Sequence, residues 1–132
     1  MTEAGTPTGE QPEAATARIL CDTGAVTAAG DDVGVLWKLT ESGRQLDANV
    51  VRLAPGRHVA PHAEPHLDVL LLVVSGDGVL GGTPGDEEQS LTTGTLLWLP
   101  HGSTRSLTAG AEGLAYLTVH RRRPGMRIGR AR

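Results

Sequence analysis

From Arg18 onward the apolar residues fall into short runs, many of them alternating with polar ones, and glycine, proline or acidic turns close most runs. In Gln45–Leu53 (QLDANVVRL), Leu46, Ala48, Val50 and Arg52 alternate with Asp47, Asn49, Val51 and Leu53. Period-two placement sends successive side chains to opposite faces of a strand. Val69–Val74 is the longest unbroken apolar run, and Ser75-Gly76-Asp77-Gly78 follows it at once. That pattern predicts a buried strand feeding a tight turn. Further strands are predicted at Arg18–Thr27, Val33–Thr40, Gln89–Thr92, Thr95–Leu99, Thr104–Thr108 and Leu114–His120. Turns are predicted between them at Gly30–Asp32, Glu41–Gly43, Gly81–Gly85, Pro100–Gly102 and Ala109–Gly113. No helical period of ~3.6 is sustained anywhere, so the expectation is an all-β domain of about eight or nine short strands in a sandwich or barrel.

Composition narrows this. A chain of 132 residues is one domain with a real core. Residues 1–17 carry almost no large apolar side chains and are expected to be a disordered tail, leaving 18–120 as the folded body and 121–132 as a basic tail. Six of the twelve basic residues (Arg121, Arg122, Arg123, Arg127, Arg130 and Arg132) follow His120, whereas all fifteen acidic ones precede it. The tail is expected to fold back on an acidic surface of its own or a partner subunit. A nucleic-acid arm is the less favoured reading, because Pro124, Gly125 and Gly129 break any basic helix. Trp37, Trp98 and Tyr116 are the only aromatics, too few for a base-stacking surface, and Trp98 is expected to pack. Cys21 stands alone, without an internal disulfide partner, and is expected to be a core thiol. The N-terminal stretch lacks a basic start and an apolar segment, and the longest apolar run has six residues against the ~20 that span a bilayer. The expectation is a cytoplasmic protein with no membrane partner.

Candidate chemistry concentrates between Pro55 and Gly78. His62, Glu64, His66 and Asp68 recur at period two, which on an extended backbone would turn all four to one side. Imidazoles and carboxylates so grouped can ligate hard or borderline divalent metals, or bind a polar ligand. Gly76–Gly81 also spells GxGxxG, but loop residues follow rather than a helix, so a dinucleotide is not expected.

Two segments resemble a known family. Gly94–Arg105 (GTLLWLPHGSTR) is similar to the second cupin motif, G-x5-P-x-G-x2-H, through Gly94, Pro100 and Gly102. The first motif, G-x5-H-x-H-x3/4-E-x6-G, looks as if it starts at Gly56 with His62 in the first histidine place. The resemblance implies an all-β cupin-type double-stranded β-helix, a jelly-roll barrel. It further implies a divalent metal (iron, manganese, nickel or zinc) at four places, and a homodimer. Here Glu64 stands in the second histidine place, Asp68 lies one residue off the glutamate place, and Arg105 replaces the last histidine. Arginine stays protonated and has no free acceptor, so it cannot ligate a metal, but its fork suits a carboxylate or phosphate.

The reading that follows is a barrel that binds a small, anionic molecule, with Arg105, His62 and Glu64 on the wall and Leu70, Leu72 and Leu107 lining the interior. Its alternatives are a metal-dependent enzyme of the dioxygenase, isomerase or decarboxylase class, using His62, Glu64, His66 and Asp68, and a structural or interaction protein with a filled pocket. For Arg105 an internal ion pair with Glu64 or Asp68 stands beside the ligand anchor.

Overall fold

A computed structural model describes residues 16–123; the expected N-terminal tail and most of the basic tail lie outside them. Among these residues one short helix, α1 (Thr23–Ala28), precedes seven strands: β1 (Gly34–Lys38), β2 (Leu46–Leu53), β3 (His58–Ala63), β4 (Val69–Gly81), β5 (Gln89–Thr92), β6 (Leu96–Leu99) and β7 (Thr104–Arg121). All pairings are antiparallel. No helix among them is long and apolar enough to cross a membrane.

The fold is built on β4 and β7, which pair with each other along nearly their whole lengths. Each changes its other neighbour midway. Val69–Leu72 of β4 pairs β6, and Asp77–Leu80 pairs β5. Thr104–Thr108 of β7 pairs β3, and Leu114–Arg121 pairs β2, which carries β1 at its far side. Two sheets therefore share one central pair of strands, folded at a corner where the register slips between Val73 and Ser75 and again between Gly76 and Gly78. Bulges let a strand turn such a corner without losing its partner.

The corner also inverts which residues face inward. On β7 the core holds Leu107 and Ala109 before it and Leu114 and Tyr116 after it. On β4 the core-facing residues before the corner are Val69, Leu71 and Val73, and beyond it Leu80 packs against the same cluster. Leu91 and Leu99 close the core from β5 and β6.

Three sequence expectations change here. The stretch Arg18–Thr27 is not a strand: Asp22 Oδ1 accepts from the Ala25 backbone N–H at 3.1 Å and caps α1. Arg52, on the β2 face opposite the core-packed Val51 and Leu53, donates to the carbonyls of Thr27, Gly30 and Asp32 and holds the helix end down. The turns expected at Ser75–Gly78 and Ala109–Gly113 are not chain reversals but the bent middles of β4 and β7, so Val69–Val74 extends into one long strand and the predicted strands Thr104–Thr108 and Leu114–His120 join into another. And His58–Ala63, for which no strand was predicted, is a strand.

The glycines that mimicked a turn signal serve a close approach instead. A Cβ on Gly76, which has φ +80°, would lie 2.1 Å from the Gly113 carbonyl oxygen. One on Gly78 would lie 2.4 Å from that of Thr108. Backbone atoms of a central strand cannot move aside as a side chain can. Gly76→Ala is therefore expected to cost about 3 kcal/mol or more in urea unfolding, by overpacking combined with a left-handed backbone. Gly30→Ala, in open space, should change the midpoint by only a few tenths of a kcal/mol.

Candidate functional site

The site region lies where β3 and the first half of β7 run side by side. Arg105 follows Thr104 at the start of β7 and shares its inward parity with Leu107 and Ala109. Its registered partner across β3 is His62. Directly opposed residues on antiparallel strands hold their Cβ atoms about 5 Å apart on one face. Two of the four places at which the resemblance implied metal ligands are thus opposite each other on paired strands.

Arg105 is 7% exposed, yet its only bonds among the described residues are long ones to Ser103, 3.3 Å to the carbonyl and 3.4 Å to Oγ. No carboxylate pairs with it among the described residues, where the ion pairs are Arg18–Glu41, Arg44–Asp47, His101–Asp68 and Arg123–Glu64. The expected internal ion pair with Glu64 or Asp68 is absent because both acids are engaged elsewhere. Glu64 accepts from the His66 backbone N–H at 2.8 Å and from Arg123 Nη1 at 2.9 Å. Asp68 accepts from the His101 backbone N–H at 2.9 Å and from its Nδ1 at 2.8 Å.

The period-two quartet is likewise not assembled. The strand that would align its side chains ends at Ala63, and residues 64–68 bend. His62 donates Nδ1–H to its own strand's Ala60 carbonyl at 3.1 Å, which leaves Nε2 as the acceptor of the neutral ring. Among the described residues no group of three His, Cys, Asp or Glu side chains could hold a metal ion. His62, Glu64, His66 and Asp68 therefore do not fit the metal that the resemblance implied, and no metal-dependent step is derived. His66 and Asp68 do not bond each other either; His101 is Asp68's partner.

The apolar lining needs correction as well. Leu70 is 47% exposed and Leu72 half-buried, whereas Leu71 and Val73 are 2% and 1% exposed. Leu70 and Leu72 belong to the outer face of β4, opposite Trp98 and Leu96 of β6. Leu107 faces inward but is packed in the core. The cavity that Arg105 does line holds about 330 Å³ and is walled by Leu80, Asp86, Glu87, Trp98 and Ser103 among others, with neither His62 nor Glu64 on it. Trp98, expected to pack, is in fact 66% exposed. No local signal marks these residues, since only the β4–β7 register brings the end of β4 and its following loop beside Arg105.

Of the basic segment, Arg121 ends β7 rather than opening a separate tail, and Arg122 and Arg123 run on along the body. Beyond Arg123 and Glu64, Arg121 Nη2 donates to the His66 carbonyl at 3.4 Å and the Arg122 backbone N–H to that of Gln45 at 2.8 Å. Arg127, Arg130 and Arg132 lie outside the described residues.

These contacts set the acid behaviour of the bend. The His66 N–H and then Arg123 hold the Glu64 carboxyl below its ordinary 4.5, and the His101 N–H and ring hold Asp68 below 3.8. A depressed carboxyl contributes stability that is present above its unfolded pKa and lost as pH falls through the folded one. Carboxyl-carbon NMR titration should place both midpoints below those ordinary values. Arg123→Gln should raise the Glu64 midpoint only part of the way, because the larger cause is the His66 N–H. A Glu64 midpoint at 4.5 in the unaltered protein would mean that the bend is not held as described.

No family model matches the sequence, and no curated protein is similar to it. Solved structures are. BH2720 from Bacillus halodurans shares 15% identity at a TM-score of 0.66, with 89% of this chain and 86% of that one covered. A Klebsiella pneumoniae protein with a double-stranded β-helix domain shares 20% at 0.56, covering 68% and 75%. The cupin domain of Schizosaccharomyces pombe Cnp3 shares 15% at 0.57, and there the match spans 66% of this chain but only 59% of the other. Likeness at such identities speaks for architecture, and it agrees with the folded pair of sheets and the shared central strands described above. This chain has the cupin fold, an all-β double-stranded β-helix of the jelly-roll type.

Proposed function

We propose that the protein binds a small molecule bearing a carboxylate or phosphate, with the Arg105 guanidinium as its anchor. One observation carries this reading: a guanidinium 7% exposed, on the wall of a cavity of about 330 Å³, with no carboxylate partner among the described residues. A buried ion without a counter-charge is costly, and proteins ordinarily pair such groups. An incoming anion supplies the missing partner, and the planar fork of five N–H donors favours a bidentate oxyanion. The cavity size suits a ligand of a few heavy atoms up to a small metabolite. Ser103, already against Nη1, steadies the side chain rather than neutralising it. His62 stands opposite this anchor in the strand register but is exposed and lies off the lining of that cavity.

Arg105→Met keeps the apolar stem and removes the charge. In the ligand-free protein it is expected to raise stability by about 1 kcal/mol, since an uncompensated buried charge is relieved. In the unaltered protein, butyrate or inorganic phosphate should raise the thermal midpoint and shift the Arg105 Nε–H resonance. Both responses should vanish in Arg105→Met. Destabilisation by Arg105→Met together with no response to either probe in the unaltered protein would mean that Arg105 is a structural residue.

A further inference from the structure

The walls of the Arg105 cavity carry an imbalance that a plain anion does not satisfy. Its charged lining residues are Arg105, Asp86 and Glu87, one cation against two carboxylates. Arg105 is buried, whereas Asp86 and Glu87 sit in the exposed loop after β4. Asp86 is committed structurally: Oδ2 accepts from the Thr83 N–H at 2.9 Å and from its hydroxyl at 2.8 Å, which fixes the loop. Among the described residues Glu87 makes no hydrogen bond or ion pair, and Trp98, 66% exposed, shares its wall. An indole face next to carboxylates is a favourable setting for an ammonium group.

From this arrangement, and resting on the anion reading above, we infer that the ligand is amphoteric: a small amino-carboxylate whose oxyanion meets Arg105 and whose ammonium meets Glu87 and Trp98. A ligand with charge of one sign only would meet repulsion at one end of the cavity. A ligand with both signs converts the acidic rim from a barrier into a second contact, and the rim then disfavours simple anions of the same size without excluding them. Opposite charges at two depths also fix which end enters first.

The test compares matched pairs on the full chain at low ionic strength by NMR titration: β-alanine with propionate, γ-aminobutyrate with butyrate, and ε-aminocaproate with caproate. Three chain lengths cover the span between the anchor and the rim. At least one amino-carboxylate should bind about fivefold to tenfold more tightly than its partner. Glu87→Gln should then move the two members of that pair in opposite directions, weakening the amino-carboxylate and strengthening the simple carboxylate. A structural role for Glu87 would not produce that crossing. Equal affinities within every pair would overturn the inference and leave the anion reading standing. So would a Glu87→Gln effect of the same sign on both members, which means that Glu87 competes for Arg105 itself. If none of the six binds and phosphate also fails, it is the anion reading that falls.

Discussion

The pairing of β4 with β7 is the contact on which the rest of the structure depends. Every strand but β1 bonds to one of these two, and β1 reaches them through β2. What allows the pairing is the absence of side chains where the strands bend. With Gly76 2.1 Å, at a notional Cβ, from the Gly113 oxygen and Gly78 2.4 Å from that of Thr108, the corner has room for backbone and nothing more. Glycine ordinarily weakens a strand interior, and close backbone approach is the circumstance in which it is needed there. The apolar cluster then forms as a consequence, because the corner brings residues of β4 and β7 from both of its sides onto the same core.

The same corner makes the site. By slipping the register, it lets the first half of β7 run beside β3 while the second half runs beside β2. Arg105 thereby enters the interior next to His62 and beside the end of β4, and the loop after β4 carries Asp86 and Glu87 to the same cavity. Meanwhile the bend at residues 64–68 satisfies its own acids, with Glu64 tied to Arg123 and Asp68 to His101. The polar groups closest in sequence are therefore spent on the loop. Those that remain for a ligand come from segments about twenty residues apart and more.

How much of this was legible follows from what each signal encodes. Gly56, Gly94, Pro100 and Gly102, with His62, carried enough of two spaced motifs to give the architecture, which the structural likenesses bear out. The all-β class followed from alternation in segments such as Leu46–Leu53, which is β2 to the residue after a one-residue trim. Val69–Val74 failed on orientation: an unbroken apolar run has no alternation, so nothing in it says that odd positions face inward, and Leu70 and Leu72 were assigned to the wrong face. Gly-Asp-Gly failed because glycine at a tight turn and glycine at a close approach look alike in a sequence. The carboxylate partners of Arg123 and His101 were hidden for a simpler reason. They are 59 and 33 residues away, and only tertiary structure measures that distance.

Arg105 is more than a lost ligand. It faces His62 in the strand register, and its fixed positive charge would repel a divalent ion held there. Arginine in this place and a cation beside it therefore oppose each other directly. A neutral side chain would have sufficed to abandon metal ligation, and at lower cost, since a buried charge must be desolvated. Keeping a guanidinium there, unpaired among the described residues and facing a cavity, is a stability sacrifice, and the proposed affinity for an oxyanion would be its return. The acidic rim would be the complement of that choice. With a cation buried at one end and carboxylates exposed at the other, the cavity as proposed would discriminate by the order of charges along a ligand, and the barrel fold would serve to hold those two ends at a fixed separation.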